Sequence, residues 1–168
     1  IVNDPRNEYY QTYTVDYLQN VAGGPPVVYL NVPSQEMKDV TQKLLEDGLP
    51  VWMGCYVGKQ MHRKRGLWDA KLFDFAELYG AEFGMDKANR LRFSQTMMTH
   101  AMLFTGVDVV DGVPRRWRVE NSWGAKESGK EGFYTMNDSW YDEHMFEIAA
   151  PTGYLTDKMK KGLSTTPV

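Results

Sequence analysis

The chain has 168 residues, of which 42% are hydrophobic and 13% aromatic, which is enough apolar material for one globular domain with its own core. Its net charge of −3 and pI of about 5.6 exclude a general electrostatic attraction to nucleic acid or to anionic membranes. The single cysteine, Cys55, excludes an internal disulfide, and the sequence contains neither a long apolar run nor the apolar core of a signal peptide. We therefore expect a cytoplasmic protein.

The first half of the chain alternates turn signals with short apolar segments. A polar, Tyr-rich segment ends in a Gly-Gly-Pro-Pro break, and the β-rich letters VVYLNV predict a strand at 27–32. Apolar residues at helical spacing predict a helix with Ser34 as its N-cap and Gly48 at its end. The apolar segment at 50–58 predicts a buried strand, in which the thiol of Cys55 is inert because burial raises its pKa.

The second half predicts two short helices, a hairpin and further strands. The helices are expected near 72–79 and after the N-cap Asp86, and the Asp-Gly pair at 111–112 predicts a two-residue hairpin turn. This order of elements predicts an α+β domain with a mainly antiparallel sheet. The remaining elements are two strands and an exposed polar tail, at 131–137, at 144–150 and from 152 onward.

Counting along the hairpin brings a histidine and an asparagine together. If Asp111 and Gly112 form the turn, ten steps back reach His100 and ten steps forward reach Trp123 on the opposite strand. Asn121 points to the same face and is a diagonal neighbour of His100, although a single bulge would place it on the other face. An amide oxygen that accepts from one imidazole nitrogen leaves the other free to exchange a proton with a nucleophile. The pattern fits the base half of a catalytic triad, and a purely structural histidine fits it as well.

Several motifs carry a resemblance to a known family. The letters THAM, VENSWG and KEGFYTM resemble the histidine and asparagine motifs of papain-like cysteine proteases, specifically of the bleomycin hydrolase and bacterial aminopeptidase C branch. The resemblance continues through YYQTYTVDYLQNVAGG, VVYLNVP, PVWMGCYVGK and GLWDAKLFD, and so covers nearly the whole chain. It implies a papain-like fold, with residues 1–168 as a single domain, the sheet lobe at the C-terminal end of a two-lobe cysteine aminopeptidase. It also implies His100 as general base and acid, Asn121 as its orienter and Trp123 as a ring that shields the pair.

Two departures from the family pattern limit what this chain can do. The family's nucleophilic cysteine, in a Cys-Trp motif, and its oxyanion glutamine are not in this chain, since Cys55 is followed by Tyr56 and matches a non-catalytic strand. The chain also ends at Val168, before the family's C-terminal arm. We expect the isolated chain to be inactive and to need the N-terminal helical lobe of the same protein. The resemblance further implies peptide substrates, a homohexameric parent protein and no cofactor.

Other functions stay open at this level. A catalytically dead relative that serves as a binding or scaffold module would carry the same motifs. The basic loop at 59–65 leaves a nucleic-acid-binding homologue open, but the loop lacks aromatic stacking residues and lies in an acidic chain, which favours a solvated or subunit-contact loop. We expect no metal site, because the side chains of suitable type stand at no ligand spacing. These side chains are Cys55, His62, His100 and His144.

Overall fold

The structure is a computed structural model that describes residues 1–19, 21–126 and 128–168. Its strands are β1 (Thr12–Tyr13), β2 (Tyr29–Leu30), β3 (Val51–Cys55), β4 (Met61–His62), β5 (Leu67–Trp68), β6 (His100–Val110), β7 (Val113–Glu120), β8 (Phe133–Asn137) and β9 (Met145–Ile148). Its α-helices are α1 (Ser34–Glu46), α2 (Phe75–Tyr79), α3 (Lys87–Arg92), α4 (Asp138–His144) and α5 (Asp157–Gly162). Single 3₁₀ turns lie at Arg63–Arg65 and Thr152–Tyr154.

One seven-stranded sheet organises the chain, in the order β4-β5-β8-β7-β6-β3-β9. Neighbouring strands are antiparallel except for β5 and β8, which run parallel. Strands β1 and β2 form a separate two-stranded sheet. The prediction of an α+β domain with a mainly antiparallel sheet is therefore confirmed. The parallel pair was not predicted, because it joins strands that are far apart in the sequence and one of them is only two residues long.

Helices α1 and α4 pack on the sheet and bury large aromatic side chains between them and strands β6 and β7. Phe104 stacks on Tyr141 with ring centroids 5.6 Å apart, and Trp117 lies 5.1 Å from the same ring. The Trp117 indole N–H donates to Asp138 at 3.0 Å, and Asp138 accepts a second hydrogen bond from the buried Lys38 ammonium at 2.6 Å. These hydrogen bonds and ring contacts help to fix β6 and β7, the two strands whose open end holds the candidate site residues.

Helix α1 begins and ends close to the predicted positions, but its start is not capped as predicted. Ser34 is the first helical residue, and its hydroxyl donates to Asp142 on α4 at 2.9 Å instead of accepting from a backbone N–H of its own helix. A tertiary contact has replaced the local cap. Gly48 follows the helix with φ of +77°, the left-handed conformation that ends helices.

Two further predictions need correction. The predicted strand at 27–32 is only Tyr29–Leu30: Val27 and Val28 before it are exposed, and Asn31 after it forms an isolated parallel bridge with Val2. The segment from Thr152 onward is not an exposed tail, because Leu155 and Met159 are buried and α5 packs on the domain. Smaller differences are a shorter buried strand, Val51–Cys55, and a shorter helix, Phe75–Tyr79. The predicted N-cap Asp86 is confirmed, since its side chain accepts from the backbone N–H of Asn89.

Across the described parts of the chain, none of the helices has the length and apolar character needed to cross a membrane.

Candidate active site

The turn of the long hairpin is Asp111-Gly112, as predicted. Val110 pairs with Val113, and the two turn residues have φ of +53° and +77°. Positive φ at both central positions is the geometry of a type I′ turn, whose twist matches that of the flanking strands. The turn therefore sets the starting register from which every later pair on β6 and β7 is counted.

Two bulges interrupt this hairpin, and their effects on the register cancel. Near the turn, β7 carries one extra residue, Arg115, and farther on β6 carries one extra residue, Thr105. A single bulge would shift the pairing by one and separate the two candidate residues onto opposite faces. Because the extra residues lie on opposite strands, Leu103 faces Glu120, which is the register of an uninterrupted hairpin.

His100 and Asn121 meet at the open end of the hairpin. Asn121 Oδ1 lies 2.9 Å from His100 Nε2, and the same oxygen accepts the backbone N–H of Ser122 at 2.8 Å. A backbone N–H can only donate, so this contact fixes the amide with its oxygen toward the ring. In the neutral ring, Nε2 of His100 therefore carries the proton and Nδ1 the lone pair. This arrangement leaves one ring nitrogen able to accept a proton from a nucleophile.

Asn121 is held in place by more than the imidazole. Only 8% of its surface is exposed, and its backbone N–H donates to the carbonyl oxygen of Gly132 at 3.1 Å, which ties it to the loop before β8. Its Nδ2 is buried and has no acceptor among the described residues. A buried donor without a partner costs free energy. The amide orientation that points Oδ1 at the histidine therefore has a cost in free energy at Nδ2.

Trp123 covers the pair. Its ring centroid lies 5.0 Å from that of His100 with a tilt of 35°. Tyr134 meets the indole edge-on at 6.1 Å, and the Tyr134 hydroxyl is itself hydrogen-bonded to Ser128. The Arg63 guanidinium carbon lies 5.0 Å from the indole centroid. Sequence reasoning missed this contact, because nothing in the local pattern links the basic loop to the segment after β7.

Cys55 is a backbone neighbour of His100 but does not supply a nucleophile. The two residues pair in the β3–β6 ladder, while the Cys55 side chain is fully buried in the core. Burial raises the pKa of the thiol, because the thiolate would lose its solvation. The position agrees with the sequence prediction of a structural cysteine.

The other two histidines have structural roles. His62 Nδ1 accepts the backbone N–H of Arg65 at 3.3 Å and caps the 3₁₀ turn of the basic loop. His144 is buried against Trp140 and Tyr56, and its burial, together with nearby cations, lowers its pKa to about 3. Within the described ranges, no three His, Cys, Asp or Glu side chains come together in a way that could hold a metal ion.

Comparisons with known proteins match the chain along its whole length. The profile of the Peptidase C1-like family matches residues 1–168. Aminopeptidase C from Listeria innocua is 38% identical over 170 residues, which cover 100% of this chain and 38% of that protein. Human bleomycin hydrolase is 39% identical over 174 residues, which cover 100% of this chain and 38% of that protein.

The same extent of match is found in a solved structure. The crystal structure of PepW from Lactobacillus rhamnosis HN001 superposes with a TM-score of 0.92 at 37% identity. The match covers 96% of this chain and 36% of that chain. The chain therefore spans less than two fifths of the length of these relatives.

Proposed function

Because the chain belongs to the Peptidase C1-like family and has a papain-like α+β fold, we propose that it is the sheet lobe of a longer cysteine aminopeptidase of the bleomycin hydrolase and aminopeptidase C type. In this proposal residues 1–168 form one domain at the C-terminal side of the protein. The observation that supports it most directly is the 2.9 Å contact between His100 Nε2 and Asn121 Oδ1, with the oxygen fixed by the Ser122 N–H.

In the proposed mechanism, each of these side chains has a step in peptide hydrolysis. Nδ1 of His100 takes the proton of a cysteine thiol supplied by the other lobe, and the thiolate attacks the carbonyl carbon of the first peptide bond. When the C–N bond breaks, the imidazolium returns its proton to the leaving amine, and the N-terminal residue remains as a thioester. Water then loses a proton to Nδ1, attacks the thioester and releases the residue with the thiol restored. Asn121 keeps the ring oriented, and Trp123 keeps water away from the hydrogen bond.

The remaining parts of the machinery belong to the rest of the proposed protein. The nucleophilic cysteine and an oxyanion glutamine come from an N-terminal helical lobe, which is the first partner of this chain, and peptides are the second. Support for a further lobe is the match to only 38% of the length of the relatives. We further propose a cytoplasmic homohexamer as the complete protein, on the family resemblance and on the single cysteine.

The test is hydrolysis of an aminoacyl fluorophore by the complete protein that contains this chain. His100→Ala should lower kcat/KM at least about 1,000-fold, because it removes the general base and acid. Cys55→Ala is the control and should retain activity, since the thiol is fully buried and its raised pKa disfavours the thiolate. The 168-residue chain alone should show no turnover.

Three results would contradict this assignment. Turnover by the 168-residue chain that is lost in His100→Ala would show a nucleophile within it. A complete protein that binds peptides without hydrolysing them would indicate a scaffold module. DNA retention that weakens with salt and with Arg63→Gln or Lys64→Gln would indicate a nucleic-acid-binding homologue.

A further inference from the structure

We propose that Arg63 is a positioning residue that holds the Trp123 ring over the His100–Asn121 hydrogen bond. Its guanidinium carbon lies 5.0 Å from the indole centroid, inside the range of a cation–π contact. The imidazole centroid lies 5.0 Å from the same point with its plane tilted by 35°, so the Trp123 ring contacts both Arg63 and His100. These contacts involve residues of this chain alone, so they do not depend on the proposed function. Only their importance for peptide hydrolysis rests on it.

The backbone of the basic loop is fixed to the loop that follows Trp123. The carbonyl oxygen of Arg63 accepts the N–H of Gly129 at 3.0 Å. Gly66 ends the 3₁₀ turn with φ of +66°, and a Cβ atom there would lie 2.6 Å from the Gly129 Cα. The two loops are therefore in van der Waals contact. Because the two backbones are already joined, the main free-energy cost of the Arg63–Trp123 contact is the lost side-chain entropy of these two residues.

The chain on either side of Trp123 lies at the surface. Ser122 and Gly124, on either side of Trp123, are exposed, and Gly124 has φ of +83°. Tyr134 supports the indole through an edge contact at 6.1 Å. A planar guanidinium is suited to an indole face, because it stacks and is less strongly hydrated than an ammonium group. In this proposal the Arg63 guanidinium supplies a contact that favours the position of the indole over the polar pair.

Loss of this contact should be visible at the proton that the ring protects. When the indole swings away, water competes for the Nε2–H of His100, and this proton exchanges faster with solvent. In the ¹⁵N-histidine-labelled 168-residue chain, we expect Arg63→Met to speed this exchange about fivefold, the population shift of a contact worth about 1 kcal/mol. The signal is assigned by its loss in His100→Gln.

Two further variants separate positioning from a general effect on the fold. Lys64→Met removes a neighbouring charge of the same 3₁₀ turn and should leave the exchange rate unchanged. Arg63→Lys keeps a cation and should restore part of the protection. The nuclear Overhauser effect between the Trp123 and His100 ring protons should fall in Arg63→Met and persist in Lys64→Met.

Equal exchange rates in Arg63→Met and Lys64→Met would overturn the proposal. So would an unchanged Overhauser effect in Arg63→Met. If Arg63→Met lost its core signals, Arg63→Gln would replace it and carry the same expectations. None of these readouts needs a nucleophile, so a complete protein without peptidase activity would refute the proposed function and leave the Arg63 contact standing.

Discussion

Replacing Lys87 with methionine tests how this fold accommodates a buried cation. Lys87 opens helix α3 and is 9% exposed. Its ammonium donates to Asn3 Oδ1 at 2.6 Å and to the carbonyl oxygen of Met145, and it lies 4.8 Å from the Phe146 ring centroid. Burial lowers the pKa of Lys87 from 10.5 to about 7, against the opposite effect of nearby carboxylates such as Asp142. The folded chain therefore binds this proton less tightly than the unfolded chain does.

This difference in proton binding fixes the sign and size of the effect on stability. Between about pH 7 and the unfolded value of 10.5, the unfolded chain binds more protons at Lys87, so the free energy of unfolding rises with pH across that window. The whole shift corresponds to a folding penalty on the order of 5 kcal/mol at about 1.36 kcal/mol per pKa unit. From about pH 6 to pH 9 the rise should be on the order of 3 kcal/mol. Lys87→Met cannot ionise and should lack this rise.

Urea unfolding at constant ionic strength, followed at several pH values from 6 to 9, measures the effect. The free energy of unfolding of the wild type minus that of Lys87→Met should increase with pH, because other titrating groups cancel in the difference. Lys160→Met, at an exposed position of α5, is the matched control and should give a flat difference. Parallel curves for the wild type and Lys87→Met would refute the reasoning and show that Lys87 binds its proton equally well in both states.

Three further outcomes follow from single contacts. The Cys55 thiol, whose pKa burial raises, should not react with Ellman's reagent at pH 8 until urea unfolds the chain, and rapid reaction of the folded chain would contradict its place in the core. Gly66→Ala should lower the free energy of unfolding by about 2 kcal/mol or more, because a positive φ and a 2.6 Å approach to Gly129 both oppose a Cβ atom. Gly80→Ala, at φ of +62° in open space, should cost only about 1 kcal/mol, and equal losses would show that the close approach does not matter. Burial lowers the pKa of His144 to about 3, so below about pH 6.5 the unfolded chain binds more protons than the folded chain. The free energy of unfolding should therefore fall as the pH drops toward 3, and it should fall less in His144→Phe. Equal acid sensitivity of the two proteins would contradict a buried, neutral His144.

The sequence predicted the hairpin because its strongest signal is local. Asp111 and Gly112 specify a turn whose φ angles only a few residue types adopt readily, and the turn fixes the first pair on the two strands. The extra residues Thr105 and Arg115 carry no such signal, since a bulge depends on how two distant strands twist against each other. The position of Asn121 on the correct face was predicted because the two bulges offset each other, and a local count has no means of detecting either.

Tertiary contacts explain what local reasoning missed. Ser34 has the side chain of an N-cap, but a partner on α4 competes for its hydroxyl. Leu155, Met159 and Leu163 stand at helical spacing, but the segment is short and mostly polar, and its sequence does not say that Leu155 and Met159 reach the core. In the sequence, Arg63 is only one of several charges in a basic loop. Its contact with Trp123 accompanies a backbone hydrogen bond from Gly129 to Arg63, which are more than 60 residues apart. Contacts of this kind become visible only when the whole sheet is assembled.

The order of the strands indicates which part of the proposed active site is rigid. Strand β6, which carries His100, is hydrogen-bonded to β3 on one side and to β7 on the other, so the imidazole stands on one of the best-supported strands of the sheet. Asn121 Oδ1 is fixed by a backbone donor, and the base is therefore oriented before any nucleophile is present. A group that is preorganised in this way needs no rearrangement at the moment of proton transfer. In the proposed enzyme we therefore expect any motion that brings a thiol to Nδ1 to occur between the two lobes and not within this one.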